Sequence, residues 1–211
     1  MARLDWSTSG SRSYEMGVDR GVLYTSGNYG VAWTGLLSIS EKASGGEARP
    51  FYLDGVKYLN LASAEEYEAT ISALGCPAEF LVCDGVVSIH NGLFAMQQRR
   101  QQFNLAYRTL VGDDISGFPG EYKIHLVYNG LAAPSQVDNN TIGDSIEPKT
   151  FSWDITSLPP SITGYKRTAH LVIDSRSADP EVLSDVEDIL YGTTVTNPSM
   201  PTPDELIALF A

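Results

Sequence analysis

Hydrophobic and polar residues alternate with a period of two along two neighbouring stretches of the chain, residues 103–109 and 122–128. Because side chains of a strand point alternately to its two faces, this pattern predicts two strands of a half-buried antiparallel sheet. We expect one apolar face and one mostly polar face. The apolar positions are Phe103, Leu105, Tyr107, Thr109, Tyr122, Ile124, Leu126 and Tyr128, and the polar positions include Asn104, Arg108, Lys123 and His125.

Shorter β-type runs lie on both sides of this pair and bring the predicted strands to about eight. One of them, residues 65–73, alternates in the same way, although its Glu and Ala content would also suit a helix. Its polar side would carry Glu66, Glu68, Thr70 and Ser72. The other predicted strands are residues 21–24, 30–39, 86–93, 150–156 and 168–174.

Helix signals are confined to a few places. Asp179 is a good N-cap, Pro180 suits the first helical position, and apolar residues recur at helical spacing until Gly192, which predicts a helix over residues 180–191. A capping-box pattern from Thr202 to Glu205 opens a last, short helix. Residues 76–85 suit one or two helical turns.

The remaining segments predict one domain with extensions. Residues 1–19 and 192–211 are expected to be terminal arms, and residues 20–191 a single β domain. Within it, residues 40–61 predict a long Gly-rich loop with its own small hairpin, because Asp54-Gly55 is a two-residue turn signal between β-type flanks. Residues 129–149 predict a polar surface loop.

Composition and charge fit a globular, mainly β protein of 211 residues with 43% hydrophobic and 19% charged residues. The formal net charge of -12 argues against a basic surface that binds nucleic acid without specificity. This negative charge would either keep the protein soluble or repel a polyanion that passes along its surface. No signal-peptide core and no apolar run of membrane-spanning length occurs, so we expect synthesis in the cytoplasm without membrane insertion. Cys76 and Cys83 are expected to be reduced thiols rather than a local disulfide.

No motif of a known catalytic or cofactor site is present, so we expect neither an enzyme nor a cofactor or metal. His90, His125 and His170 are isolated in sequence, and a structural or surface role is expected for the two that lie in strands. No carboxylate pair suggests a glycosidase. The loop with Asp138, Asn140, Asp144 and Glu147 matches a calcium loop poorly, since Ile142 occupies a ligand position.

Aromatic residues give a second interpretation, in which the chain is a monomeric carbohydrate-binding β-sandwich. Such residues more often belong to a core, and their apolar neighbours favour that reading here. The candidates for a sugar platform are Trp33, Tyr52, Tyr58, Tyr107 and Trp153.

The order of whole segments resembles that of the major tail protein, or tail tube protein, of long-tailed non-contractile bacteriophages, particularly those of actinobacterial hosts. The resemblance covers residues 17–210 without a large gap and includes no catalytic motif. The segments that carry it are GVDRGVLY, GVAWTGL, SGGEARPFYLDGVKYLNL, EEYEATI, FNLAYRTLVGDD, YKIHLVYNGLAAPS, TIGDSIEP, TFSWDIT, AHLVID, DILYGT and PDELIALF.

The resemblance implies a tail-tube-type β-sandwich or barrel with a flanking helix, a long stacking loop and terminal arms. It also implies hexameric rings stacked into a tube in the virion tail, assembled in the host cytoplasm. Tape measure, tail terminator and tip proteins would be partners, and double-stranded DNA would pass without specific binding. The lumen would be lined by Glu66, Glu68, Thr70, Ser72, Asn104, Arg108, Lys123 and His125, and the stacking loop would include Gly45, Gly46, Glu47, Arg49 and Asp54.

Overall fold

The structure is a computed structural model that describes residues 10, 12–115, 117–141 and 148–211. It is mainly β, with its sheets in a sandwich-like arrangement and helices at one flank, which confirms the predicted fold class. The strands are β1 (Ser13–Tyr24), β2 (Gly30–Ala32), β3 (Leu36–Gly45), β4 (Ala48–Leu53), β5 (Val56–Ala62), β6 (Glu65–Ala73), β7 (Val87–His90), β8 (Leu93–Ala95), β9 (Phe103–Asp113), β10 (Gly117–Ala132), β11 (Phe151–Ser157) and β12 (His170–Asp174).

Eight strands form one sheet in the order β2-β1-β9-β10-β11-β6-β3, and β12 pairs with β10 beside this path. The long strand β10 therefore serves two neighbours on one edge. Its residues 123–127 pair with β12, and its residues 130–132 pair with β11. The register with β9 shifts between Val127 and Gly130, where Asn129 has a φ of 51°. This irregularity separates a layer of β1, β9, β10 and β12 from a layer of β11, β6 and β3.

The first core lies between these two layers. Leu23, Leu105 and Val127 contribute from one layer, and Ile71 and Trp153 contribute from the other. Phe80, from a single 3-10 turn at Ala78–Phe80, closes this core with its ring 4.6 Å from that of Trp33. Burial of this many large apolar side chains is the main source of stability for a domain of this size.

The second core lies on the opposite face of the β1-β9-β10-β12 layer, under helices α1 (Pro180–Tyr191) and α2 (Pro203–Leu209). Asp179 caps α1, as predicted, by accepting a hydrogen bond from the Glu181 amide at 2.9 Å. The capping box of α2 is also confirmed, because Thr202 and Glu205 each bond the other's backbone amide. Leu190 and Leu206 are buried against the sheet.

The C-terminal segment was expected to be an arm, but much of it packs on its own domain. Met200, Pro203 and Leu206 are buried, and the Asn28 side chain exchanges two hydrogen bonds of 3.0 Å with the backbone of Met200. The physical reason is that α1 leaves an apolar sheet face uncovered beside it, and the short α2 completes that cover. Phe210 remains half exposed.

Several other predicted boundaries differ from the structure. Residues 30–39 were predicted as one strand but divide between β2 and β3, and residues 129–132 of the predicted surface loop belong to β10. Residues 13–19 were assigned to an N-terminal arm, but they belong to β1 and pair with β9 from Ser13 to Asp19. Residues 40–45 were assigned to the long loop, but they continue β3 and pair with β6. Residues 13–19 and 40–45 are mostly polar or exposed, although Val18 packs against the first core, and main-chain pairing holds both segments in the sheet. The predicted arm residues 1–9 and 11 lie outside the described residues.

Within the described residues, two hairpins form separate two-stranded sheets that do not pair with the large sheet. The first consists of β4 and β5, and the second of β7 and β8. Asp54 and Gly55 form the predicted turn of the first hairpin, with φ values of 51° and 78°. Positive φ at both central residues is the requirement of a type I′ turn, which matches the twist of the flanking strands.

Candidate functional site

The register between β9 and β10 corrects the predicted polar face. Arg108 lies opposite Ile124, whereas Tyr107 lies opposite His125 and Thr109 lies opposite Lys123. Paired residues of an antiparallel sheet share a face, so the apolar side of one strand meets the polar side of the other. The prediction that Arg108, Lys123 and His125 share one face is therefore wrong. This layer is covered on both sides, by the helices and by the second layer of strands.

Arg108 faces the helix side of the layer. Its guanidinium donates two hydrogen bonds of 2.7 Å to the carboxylate of Asp19 and lies 4.6 Å from the ring centre of Tyr122. Asn104 is on the same face by alternation and accepts a hydrogen bond from the Asn129 amide at 2.8 Å. Both side chains hold neighbouring segments together, so neither is free to line a channel.

His125 faces the gap between the two layers, where it belongs to a chain of polar side chains. Its ring stacks on Tyr107 at 4.7 Å and on His170 at 5.3 Å. His125 Nδ1 lies 3.1 Å from His170 Nε2, which in turn lies 3.3 Å from Glu41 Oε1. Tyr67 and Tyr107 both donate hydrogen bonds to this Glu41 oxygen. We call this group, together with Glu15, Thr109 and Lys123, the interlayer polar network.

The other end of the interlayer polar network is Glu15 on β1. Lys123 Nζ lies 2.5 Å from Glu15 Oε2, and Thr109 Oγ1 donates to Glu15 Oε1 at 2.5 Å. Burial opposes ionisation of Glu15, but these two hydrogen bonds outweigh it and lower its pKa. Burial also lowers the pKa of His125 and of His170, which favours their neutral forms. Lys123 is therefore engaged between strands rather than free.

A different surface carries the predicted residues of β6. Residues 66, 68, 70 and 72 point away from the first core, as predicted, because the alternating residues Ile71 and Ala73 belong to that core. The registers with β3 and β11 align further polar residues on the same side. We call this surface the outer polar face, and its members are Ser38, Ser40, Lys42, Ser44, Glu66, Glu68, Thr70, Ser72, Ser152, Asp154 and Thr156.

The outer polar face is dominated by small hydroxyl side chains. It carries one lysine against three carboxylates, and no large apolar residue lies among the positions just named. Ser44 donates to Glu68 at 2.8 Å, and Thr70 donates to Asp154 at 2.7 Å. These bonds link β3, β6 and β11 across the surface. The outer polar face is therefore a weakly acidic surface that carries no large apolar side chain among these positions.

The hairpin of β4 and β5 has one apolar side and one mixed side. Phe51 pairs with Leu59 and Leu53 pairs with Val56, and alternation adds Leu61 to the same side. Every residue of both strands is exposed. We call the side that carries Phe51, Leu53, Val56, Leu59 and Leu61 the hairpin apolar face. Its alternation is visible in the sequence, but the sequence does not show that the hairpin leaves the domain surface.

The five residues predicted for a stacking loop lie at or beside this hairpin. Gly45 ends β3 with a φ of 78°, and a side chain there would meet the Ala64 carbonyl at 2.6 Å. Gly46 and Glu47 connect β3 to β4, and Asp54 is in the turn. Arg49 lies on β4 opposite Leu61, so it is a charged residue at the base of the hairpin apolar face. The structure thus places these residues in one hairpin and its base. The eight residues predicted for a lumen instead divide among the outer polar face, the helix side of the β1-β9-β10-β12 layer and the interlayer polar network.

The aromatic residues that were candidates for a sugar platform lie in two separate places. Trp33, Tyr107 and Trp153 are buried in the first core, and Tyr52 and Tyr58 are exposed on the hairpin. The two cysteines are free thiols; burial raises the pKa of Cys83 to about 12 and also raises that of Cys76. Residues 142–147 of the possible calcium loop lie outside the described residues.

Neither a comparison with protein-family models nor a search of curated proteins found a match to this chain. Of the helices in the described part of the chain, none has the length and apolar character that a membrane span requires.

Proposed function

We propose that this chain is a structural virion protein that polymerises as stacked hexameric rings into a bacteriophage tail tube, the channel for genome delivery into the host. The resemblance of ordered segments to tail tube proteins motivates the proposal. The observation that carries it is the hairpin of β4 and β5, which leaves the domain with an exposed apolar face.

An isolated two-stranded hairpin is only marginally stable in water. Among the residues that the structure describes, these two strands pair only with each other, and Phe51, Leu53, Val56 and Leu61 are all exposed. A contiguous apolar surface of this kind marks an interaction site. The occupant that we propose is a second copy of the chain in the next ring, because repeated heterologous contacts of this kind build a filament.

The outer polar face is the proposed channel wall. Its hydroxyl groups interact with water and DNA alike, and its carboxylates outnumber its lysine, so phosphates gain no net attraction from it. DNA would then pass without binding. Glu66, Glu68, Thr70 and Ser72 keep the lumen role that the resemblance implies, whereas Asn104, Arg108, Lys123 and His125 do not.

In this role the chain acts in the virion tail after assembly in the host cytoplasm. Its partners are further copies of itself, a tape measure protein inside the tube, and terminator and tip proteins at the two ends. Neither catalysis nor a cofactor is part of this function.

The test is assembly of the purified chain and of a Phe51→Asp variant. We expect the parent chain to form rings or tubes in negative-stain electron micrographs and to sediment as large species as its concentration rises. A carboxylate placed on the hairpin apolar face loses its water in the contact, so Phe51→Asp should raise the concentration needed for assembly at least tenfold, about 1.4 kcal/mol.

The matched control is Tyr165→Asp, which puts the same charge at another exposed aromatic residue, 74% accessible, outside the hairpin. It should assemble like the parent chain. A parent chain that stays monomeric at every concentration contradicts the proposal, and binding of such a monomer to glycans would favour a carbohydrate-binding module instead. Equal loss of assembly in both variants would show that the hairpin is not the contact.

A further inference from the structure

Three metal-ligating side chains meet inside the interlayer polar network. They are Glu41 on β3, His125 on β10 and His170 on β12, and one donor atom of each lies within 4.8 Å of the others. The three strands come from both layers of the sandwich, so the fold gathers residues that are far apart in sequence. His125 is buried, and His170 and Glu41 are partly accessible from solvent, which leaves a path for a small ion.

The three donor atoms lie within 4.8 Å of one another, so a small movement of the Glu41 and His125 side chains brings all three within reach of one ion. His125 Nδ1 and His170 Nε2 are 3.1 Å apart, and His170 Nε2 and Glu41 Oε1 are 3.3 Å apart. Neighbouring ligands around a tetrahedral ion with bonds of about 2.0 Å are separated by about 3.3 Å. Two imidazole nitrogens and one carboxylate oxygen form a donor set that suits Zn²⁺ and similar transition ions better than Mg²⁺ or Ca²⁺.

The surroundings of His125 direct its lone pair toward this point. Thr109 donates its own proton to Glu15, so the Thr109 oxygen is left to accept from His125 Nε2 at 3.0 Å. Glu15 Oε1 lies 3.4 Å from the same nitrogen and also favours a proton there. His125 Nδ1 is then unprotonated. A carboxylate behind a histidine in this way is the usual outer partner of a metal-ligating imidazole.

The side chains around Glu41 also orient it as a metal ligand. The hydroxyls of Tyr67 and Tyr107 donate to its Oε1 atom, and hydrogen bonds of this kind orient a carboxylate and stabilise its charge. The Glu41 side chain is 30% accessible, so an ion can reach its carboxylate from solvent.

We propose that Glu41, His125 and His170 bind one divalent transition ion, with Zn²⁺ as the representative species, and that this ion fastens β3 to β10 and β12. His170 would carry its proton on Nδ1 and present Nε2 to the ion, so that no net proton is lost from the neutral ring. Three protein ligands leave one coordination position for water. The proposal is independent of tube assembly, since every ligand lies within one chain.

The experiment uses the full chain without an affinity tag, stripped with EDTA and titrated with ZnCl₂ by isothermal calorimetry. Metal content is then measured after gel filtration. We expect one ion per chain and a rise in Tm of about 5–10 °C when free Zn²⁺ is 100 times the dissociation constant. His170→Gln should weaken binding at least 100-fold, because even outer partners are worth about 10–100-fold.

His90→Gln is the matched control, since His90 is an exposed histidine of β7 outside the network. It should bind Zn²⁺ like the parent chain. Glu41→Gln provides a second ligand variant if His170→Gln fails to fold, as judged by circular dichroism without metal. Absence of saturable binding in the parent chain, or binding that survives both ligand variants, would overturn the proposal. Loss of binding in His90→Gln alone would place the ion elsewhere.

Discussion

At the scale of single residues, Tyr24 connects the sheet to the helices. Its hydroxyl donates to the Leu190 carbonyl at 2.6 Å, close to the end of α1, and the residue is fully buried. Burial raises the pKa of Tyr24 well above its usual value, so the hydroxyl keeps its proton. The bond satisfies a backbone carbonyl that a helix end would otherwise leave without a partner.

Tyr24→Phe tests this contribution. We expect the free energy of unfolding, measured in urea, to fall by about 1–2 kcal/mol, because a buried carbonyl loses its donor while the ring keeps its packing. Tyr165→Phe, at an exposed ring, should leave stability within about 0.5 kcal/mol of the parent chain. If both variants unfold at the same urea concentration as the parent, the Tyr24 bond adds nothing to stability.

The interlayer polar network shows why residue roles were harder to predict than elements. His125 and His170 were assigned a structural or surface role because each is isolated in sequence. Their proximity depends on the pairing of β10 with β12, and Glu41 joins them only because β3 crosses in the other layer. No local sequence pattern predicts that His125 lies beside His170 or that Glu41 lies beside both.

At the scale of elements, the alternation of β9 and β10 predicted both strands but not their relative phase. A shift of one residue exchanges the faces of a strand, and phase in a hairpin is set by the connecting turn. Here the pairing is irregular between Gly117 and Glu121, so the loop sequence did not reveal the register. The helix caps and the Asp54-Gly55 turn were predicted correctly because their signals are local.

The hairpin of β4 and β5 is predicted to be dispensable for folding and essential for assembly. Gly45 pairs with Glu65, so replacing residues 46–64 by Asn-Gly would join β3 to β6 through a two-residue turn. We expect the Tm to change by only a few degrees, because the hairpin is exposed throughout, and rings or tubes to be absent in electron micrographs.

Asp54→Asn is the control for this deletion, since it keeps the turn chemistry and the hairpin apolar face. It should assemble normally. Tubes of ordinary length from the shortened chain would exclude the hairpin as the ring-to-ring contact, and a shortened chain that unfolds would show that the hairpin supports the domain.

At the scale of the whole molecule, the two sides of the sandwich differ in what they leave exposed. The helices cover one side of the β1-β9-β10-β12 layer, and the outer polar face of β3, β6 and β11 remains open to solvent on the other. A subunit with a polar sheet on one side, helices on the other and an exposed hairpin with an apolar face has separate surfaces for a channel, an exterior and a neighbour.

A cryo-electron microscopy map of the polymer formed by this chain, with the subunit traced in it, tests the proposed tube most directly. We expect six copies per ring, the outer polar face with Glu66, Glu68, Thr70 and Ser72 toward the channel, and the hairpin apolar face buried against the next ring. A particle without a channel, or a channel lined by the helices, would contradict the proposed function.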